Sequence, residues 1–317
     1  MTSANSIGAL RDTKHTPDLN VVKSSVVDLM TDFSIEVTPR ELTSVGAISD
    51  RLQPRTRVYI TWLNGADYRD TVRASKVLRD QNMSPVPHLA ARAIQDETHL
   101  NTILRALRED ADVKDVLVVG GALKRPIGVF DRTIQLLDTG LLSKYGIGSI
   151  GVAGHPEGNP DISERELATA ISLKNEFAKS TPGTVHMTTQ FCFDAAPIIE
   201  WERNIRRAGN RLGIHVGLAG LASVPTLIKH ARNCGVGASI GILTRRAGSL
   251  LKLSSAANPA KIVLELAKSR LLDGDSCLER CHFFPFGSFA ATAAWATALS
   301  TGDFDIVEGD SEINVRR

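Results

Sequence analysis

The sequence has few cysteines, few aromatic residues and almost no excess of charge. Four cysteines in 317 residues are too few for a disulfide scaffold, which favours a reducing compartment. Lysine plus arginine number 37 and aspartate plus glutamate number 35, so a net charge of +2 leaves no general basic surface for nucleic acid. Hydrophobic residues make up 43% of the chain, and this ordinary globular composition excludes wholesale disorder.

Long hydrophobic segments are also missing. Residues 1–20 carry charges at Arg11, Asp12 and Lys14 and lack the apolar centre of a signal peptide. The longest run of small apolar residues, 287–299, contains two threonines and is too short to span a bilayer. We therefore predict a soluble cytoplasmic protein that has neither a membrane nor a nucleic acid as its partner.

Short apolar runs alternate with longer segments of helical spacing along the chain. A continuous apolar run indicates a strand buried on both faces, and its alternation with helices indicates parallel βα units. Successive runs lie about one βα unit apart, and eight such units fit a single closed (β/α)₈ barrel, an α/β fold of the TIM-barrel type. The runs are residues 33–37, 58–62, 85–90, 115–120, 149–153, 185–190, 214–218 and 282–285, and the main helical segments are 67–80, 96–109, 163–179, 195–208 and 224–233.

The spacing also predicts how the chain is divided. Residues 1–30 precede the first strand and are predicted as an N-terminal extension, with a short helix over 21–30 below the barrel. Residues 31–317 are predicted as the barrel domain. The step before the last strand is about twice as long as the others, which predicts an insertion over 241–277 that contains a helix over 258–272.

The C-terminal ends of the strands carry the polar residues from which a barrel builds its active site. Four ends have polar side chains, which are Glu36, Thr61, His88 and Gln190. The fourth and fifth ends carry Gly120, Gly121 and the glycine-rich segment 154–158, where a flat or phosphorylated ligand can approach the backbone closely. One carboxyl, one amide and no evident metal cluster favour proton transfer beside a bound heterocycle over metal-assisted hydrolysis.

Four longer motifs stand at these strand ends. They are residues 34–39 (SIEVTP), 87–89 (PHL), 151–158 (GVAGHPEG) and 189–194 (TQFCFD). In the order and spacing of these motifs, the chain resembles the methylenetetrahydrofolate reductase family over about residues 30–300. The resemblance implies an oxidoreductase that passes a hydride from NADH or NADPH through FAD to 5,10-methylenetetrahydrofolate, giving 5-methyltetrahydrofolate.

The resemblance also implies roles for individual residues at the folate site. Glu36 matches the family's general acid, which helps to open the five-membered ring of the folate. A carboxyl that donates a proton near neutral pH needs a raised pKa, and we expect burial at the barrel mouth to supply it. Gln190 matches the amide that binds the pterin edge through its donor and acceptor groups, and Phe191 is expected beside it in the substrate site.

Eight positions correspond to the family's flavin contacts. They are Thr61, His88, Gly120, Gly121, Ala122, His155, Asn159 and Lys174. Ala122 replaces an aspartate, His155 a tyrosine and Asn159 a histidine, while Glu176 adds a negative charge near Lys174. These departures leave two alternatives open. The enzyme can be flavin-free, with direct hydride transfer from the nicotinamide, and the reaction can run in the direction that oxidises 5-methyltetrahydrofolate. The choice between NADH and NADPH and the assembly of a homo-oligomer are also left open.

Other patterns have a functional and a structural interpretation. Residues 146–151 match a dinucleotide-binding string but follow a helix and enter a strand, so we interpret them as a helix C-cap. Residues 237–241 match a nucleophile elbow but follow no strand, which favours a turn. The Cys/Cys/His pattern over 277–282 has too few ligands for a metal and favours buried thiols. The arginines over 203–211 favour a solvated helix end, with contact to the glutamate tail of a folate as the alternative.

Two other classes of function stay compatible with these residues. One is a folate-binding barrel that transfers a methyl group without redox chemistry, which would keep Gln190 and tolerate Ala122. The other is a barrel that regulates a partner enzyme. Oxidation of a reduced nicotinamide in the presence of methylenetetrahydrofolate distinguishes the reductase from both.

Overall fold

Eight parallel strands close into a barrel in the order of the sequence. The structure is a computed structural model that describes residues 18–233, 258–307 and 312–316. The strands are β1 (Ser34–Val37), β2 (Arg57–Ile60), β3 (Ser84–Ala90), β4 (Asp115–Val119), β5 (Ser149–Gly154), β6 (Thr184–Thr189), β7 (Gly213–Ala219) and β8 (Leu278–Phe284). Each strand pairs with the next, and β8 returns to pair with β1 over Ser34↔His282 and Ile35↔Phe283. The predicted (β/α)₈ barrel is confirmed.

Helices follow the strands around the outside of the barrel. They are α1 (Leu19–Met30), α2 (Pro39–Val45), α3 (Tyr68–Asp80), α4 (Glu97–Ala111), α5 (Thr133–Leu137), α6 (Leu141–Lys144), α7 (Glu164–Ser180), α8 (Ala195–Arg207), α9 (Val224–Asn233), α10 (Ala260–Leu272) and α11 (Phe289–Thr301). Three predicted helix starts, Asp67, Asp96 and Ser163, are the N-cap residues, whose side chains accept hydrogen bonds from backbone N–H groups of the first turn. No helix in the described ranges combines the length and apolar character needed to cross a bilayer.

Some boundaries differ from the prediction. Strand β8 begins at Leu278 rather than at residue 282, because the charged pair Glu279 and Arg280 interrupts the apolar run within the strand. The stretch 133–144 forms two short helices separated at Gly140, whose φ is +70°. Gly146 (φ +66°) follows the second of them and precedes β5, so the helix C-cap interpretation is confirmed.

The sequence did not predict the last elements of the chain. After α11, strand β9 (Phe304–Ile306) pairs in antiparallel fashion with β10 (Ile313–Val315). This hairpin is tied to helix α1, because Lys23 Nζ donates to Phe304 O at 2.5 Å. Strands of three residues contain too little alternation to be recognised as strands.

The main hydrophobic core lies outside the barrel wall, whereas the interior of the barrel contains both apolar and polar side chains. The main hydrophobic core lies between the outer face of the barrel and the helices, and it includes Ile35, Val58 and Leu104. Inside the barrel, by contrast, a small separate cluster contains Tyr59, Val86, Leu117 and Val119. The same interior also contains several buried polar side chains, namely those of Ser34, His88, His186, Thr188, His215 and His282. Interiors of such barrels are usually filled by branched apolar residues, so titratable groups here lie unusually deep.

Two helices, α9 and α10, lie between β7 and β8 in the sequence and occupy different places in the fold. Helix α10 packs against α1 and α8 and so takes the place of the outer helix between β7 and β8. Helix α9 contributes Leu227 to a second apolar cluster with Phe191 and Phe193, which follow β6. The His230 ring of α9 stacks on Phe286, just after β8, with centroids 4.3 Å apart. Helix α9 therefore lies against the C-terminal ends of β6 and β8, while residues 237–241 lie outside the described residues.

Candidate active site

One carboxylate at the mouth is held by side chains from three neighbouring strands. Glu36 points inward from β1, and the hydroxyl of Thr61 donates to its Oε1 at 2.5 Å. Nε2 of His282, in β8, lies 3.4 Å from Glu36 Oε2. Nε2 of His88, in β3, lies 3.6 Å from the same oxygen. The structure thus brings together three residues that the sequence predicted at strand ends and adds His282 to them.

The electrostatic state of Glu36 differs from the expectation. Burial alone would raise the pKa of Glu36, but the charge of a protonated His88 and the hydrogen bonds from His282 and Thr61 outweigh burial and hold it below its usual value. The expected raised pKa is therefore wrong, because the sequence did not reveal two imidazoles on one carboxylate oxygen. Glu36 rests as a carboxylate near neutral pH, so any proton that it donates must first reach it from a neighbour.

His282 is a site residue that the sequence indicated only as the first residue of the last apolar run and as part of a Cys/Cys/His pattern, without a place in the site. Its Nδ1 lies 2.9 Å from Ser34 Oγ, and the Tyr59 ring packs on it with centroids 4.4 Å apart. Both ring nitrogens are engaged, so the imidazole is held in a fixed orientation toward Glu36. Burial raises the pKa of the Cys281 thiol to about 12. Within the described residues no three His, Cys, Asp or Glu side chains converge as a metal site.

Gln190 lies directly after β6, at the same C-terminal mouth as Glu36. Its backbone N–H donates to Gly154 O at 2.9 Å, and its side-chain Oε1 accepts from the N–H of Phe191 at 3.1 Å. Phe191 is buried, and its ring packs against those of Phe284 and Phe286. The amide is therefore half-buried and anchored at the rim, whereas Phe191 supports the wall behind it.

The positions expected to bind a flavin are largely committed to contacts within the protein. Lys174 Nζ donates to Ala153 O at 2.7 Å, and burial lowers the pKa of this amine to about 8. Burial also lowers the pKa of His155 to about 4, which leaves this imidazole neutral. Asn159 Oδ1 accepts from the N–H of Asp161 at 2.9 Å. Glu176, expected near the diphosphate, pairs with Lys179 instead.

These contacts determine how well FAD fits. A flavin diphosphate needs cationic side chains or free N–H donors. Thr61 already donates to Glu36, Ala122 has no polar side-chain atom, and Gly120 and Gly121 have no side chain. Lys174, the one constitutive cation among the eight positions, is buried against a carbonyl group. The side chains at these eight positions therefore leave no unengaged cation for the diphosphate of FAD.

The arginines at the end of α8 lie away from this mouth. Arg206 pairs with both Glu202 and Asp273, and Arg203 Nε lies 3.6 Å from Asp273. Asp273 precedes β8, so the cluster lies at the N-terminal end of the barrel, opposite Glu36. These arginines are therefore best interpreted as a helix end with local partners. Their position does not favour contact with the glutamate tail of a folate bound at the mouth.

Gly217 keeps the end of β6 in place. A Cβ at this position would lie 2.3 Å from Thr189 O and 2.9 Å from Gln190 O, and backbone atoms cannot move aside easily. We expect Gly217→Ala to lower the free energy of unfolding by about 2–3 kcal/mol and to weaken ligand binding at Gln190. Urea denaturation measures the first effect. Gly274→Ala is the control, because nothing lies within 4 Å of its Cβ; equal midpoints for the two variants would contradict the prediction.

Known proteins resemble this fold. The chain is similar to a structure of a Clostridium thermocellum protein that binds two copies of 5-methyl-5,6,7,8-tetrahydrofolic acid, with a TM-score of 0.60, 11% identity, and coverage of 89% of this chain and 99% of that chain. A tryptophan synthase α-subunit variant from Pyrococcus furiosus matches with a TM-score of 0.46 and 11% identity, covering 85% of this chain and 90% of that chain, a likeness too low to carry any functional meaning. The family model of methylenetetrahydrofolate reductase matches residues 26–244, well over half of the sequence. The chain therefore belongs to the methylenetetrahydrofolate reductase family.

Proposed function

We propose that the protein interconverts 5,10-methylenetetrahydrofolate and 5-methyltetrahydrofolate by hydride transfer with NADH or NADPH. The observation that carries this proposal is the partly buried Glu36 carboxylate, held by Thr61 and two imidazoles at the mouth that also contains Gln190. A proton-transfer group and a fixed amide at one mouth are what this reaction needs, since the pterin ring must be oriented and N10 of the folate must be protonated.

Reduced folate is also supported as the ligand class. The structurally similar Clostridium thermocellum protein binds 5-methyl-5,6,7,8-tetrahydrofolic acid. In the present chain, the amide of Gln190 would hold the pterin edge, because an amide offers both a donor and an acceptor. Glu36 and Gln190 lie at the C-terminal ends of β1 and β6, which β7 and β8 separate around the barrel, and we propose that a folate bound across this mouth contacts both.

The chemistry assigned to Glu36 is a single proton transfer. When the five-membered ring opens, N10 of the folate takes a proton from Glu36, and an iminium cation remains at N5 and the exocyclic carbon. A hydride from the reduced nicotinamide adds to that carbon, so the folate is reduced and the nicotinamide is oxidised. The resulting carboxylate stabilises the neighbouring cation electrostatically. In the opposite direction Glu36 accepts the proton from N10.

The route of the hydride follows from the fit of the cofactor. Since the eight expected positions offer no unengaged cationic side chain to a flavin diphosphate, we propose that the hydride passes directly between nicotinamide and folate while both are bound. Lys174 and Asn159 then have structural roles, as their hydrogen bonds to Ala153 and Asp161 indicate.

The purified protein tests this function through nicotinamide absorbance and its own visible spectrum. We expect a colourless preparation that oxidises NADH or NADPH when methylenetetrahydrofolate is added, without added FAD and with intersecting initial-rate plots. Turnover that depends on FAD, with parallel plots, would contradict direct transfer. Folate binding without nicotinamide oxidation would favour the methyl-transferring barrel, and the absence of both would overturn the proposed function.

A further inference from the structure

Two buried imidazoles share one oxygen of the catalytic carboxyl, but they are not equivalent. His282 has both nitrogens engaged, by Glu36 and by Ser34, and its side chain is 0% exposed. The side chain of His88 is 10% exposed, and its Nε2 makes no hydrogen bond to any part of the chain that the structure describes. The family resemblance assigns His88 to flavin binding, yet here its Nε2 lies 3.6 Å from Glu36 Oε2.

The hydrogen bonds to Glu36 determine where its proton can reside. Thr61 donates to Oε1, so that oxygen is occupied as an acceptor. Both imidazoles lie toward Oε2, which is therefore the atom that exchanges a proton with them. A proton from water must cross the mouth to reach this oxygen, and His88 is the more exposed of the two imidazoles.

We propose that His88 is a relay residue that returns a proton to Glu36 in each reductive turnover, passing it from Nε2 to Oε2. This inference rests on the proposed function. The folate N10 first takes the proton of Glu36, so an O–H bond breaks and an N–H bond forms. Protonated His88 then loses its Nε2 proton to the carboxylate and becomes neutral. Water at the mouth protonates His88 again, and nothing is oxidised or reduced in the relay.

The groups around His88 suit rapid transfer. Glu36 faces it from β1, His282 from β8 and the Tyr59 ring from β2, with the rings of Tyr59 and His88 6.1 Å apart. Burial lowers the pKa of His88, the charge of Glu36 raises it, and the charge of His282 lowers it, with burial the largest effect. Protonated His88 is therefore a stronger acid than a histidine in water, which reduces the cost of passing its proton to the Glu36 carboxylate.

The variant His88→Asn tests the relay, because asparagine keeps a polar group at this position but cannot carry a proton. We expect kcat in the reductive direction to fall about 100-fold, the Kd for 5-methyltetrahydrofolate to change less than twofold, and imidazole in the buffer to restore much of the lost kcat. The acidic limb of the pH profile of kcat should also change. His99→Asn, on helix α4, is the control.

A titration by NMR of the protein with ¹⁵N-labelled histidines tests the shared proton without turnover. We expect Glu36→Gln to lower the pKa of His88, because the negative charge that favours the imidazolium is removed. An unchanged titration of His88, or a His88→Asn enzyme with the wild-type kcat and pH profile, would overturn the relay. So would a loss of kcat that imidazole does not rescue. Absence of turnover in the wild-type protein is a separate result, which overturns the proposed function.

Discussion

Glu36→Gln is expected to lower kcat for folate reduction by at least about 1,000-fold while the protein stays folded and still binds folate. Glutamine has the same shape as glutamate, and its side-chain oxygen can still accept the hydrogen bond from Thr61. It cannot, however, release a proton to N10, nor can it offer a negative charge to the iminium cation. Steady-state nicotinamide oxidation measures kcat, and calorimetry measures the Kd for 5-methyltetrahydrofolate.

The matched control for this experiment is Glu97→Gln. Glu97 is exposed in the first turn of α4 and contributes no atom to the candidate site. We expect it to leave kcat within twofold of the wild-type value. If Glu36→Gln retained a tenth or more of the wild-type kcat, or lost folate binding in proportion to kcat, Glu36 would not be the general acid.

The second large effect is the loss of stability in mild acid. His186 and His215 stack inside the barrel with centroids 3.9 Å apart. Burial, with the charges of His215, Arg57 and Arg280, holds the pKa of His186 well below its ordinary value. Burial and the charges of Arg280 and Arg57 do the same for the pKa of His215. Both imidazoles are therefore neutral in the folded protein, near physiological pH and well below it.

The sign of the effect follows from proton linkage. In the unfolded chain each histidine has a pKa near 6.5, so the unfolded state binds more protons than the folded state as the pH falls below that value. The two histidines leave the free energy of unfolding undiminished above about pH 6.5. At lower pH this free energy decreases, by at most about 1.4 kcal/mol per pH unit for each histidine. Between pH 6.5 and pH 5.5 we expect the pair to lower the free energy of unfolding by about 2 kcal/mol.

Urea denaturation at pH 7.5, 6.5 and 5.5 measures this loss. His186→Gln should roughly halve the dependence on pH, since glutamine does not titrate and can still bond to the Tyr59 hydroxyl, which lies 3.2 Å from His186 Nε2. His99→Asn should keep the full dependence, because His99 lies outside the barrel on α4. A denaturation midpoint that does not change with pH would contradict the prediction.

Much of the barrel could be predicted from the sequence because its strands are short apolar runs between helices. The ends of those runs also located Glu36, Thr61, His88 and Gln190, since barrel strands point the same way. His282 was missed because a charged pair, Glu279 and Arg280, follows the first residue of β8 and hid the alternation that continues from Arg280 to His282. Spacing within one strand does not reveal which side chains from other strands meet it.

Tertiary contacts account for the other differences. Helical periodicity located α9 along the chain but could not place it at the mouth, because that position depends on Phe286 and the ends of other strands. Lys174 was expected at a diphosphate because its charge is compatible with one, but the fold directs its amine to the carbonyl group of Ala153. Residue type indicated the chemistry available at these positions, and only packing decided which partner each residue has.

The short pairing between β1 and β8 has a consequence for when the proposed general acid acquires its partners. Backbone pairing across this seam covers two residue pairs, and the side chain of His282 adds its own links to Ser34 and Glu36. The carboxyl thus acquires a partner that lies 246 positions away in the chain. A nascent chain that has not yet incorporated its last barrel strand contains Glu36 in an unfinished environment. Closure of the barrel and completion of the surroundings of Glu36 therefore coincide at one strand-to-strand junction.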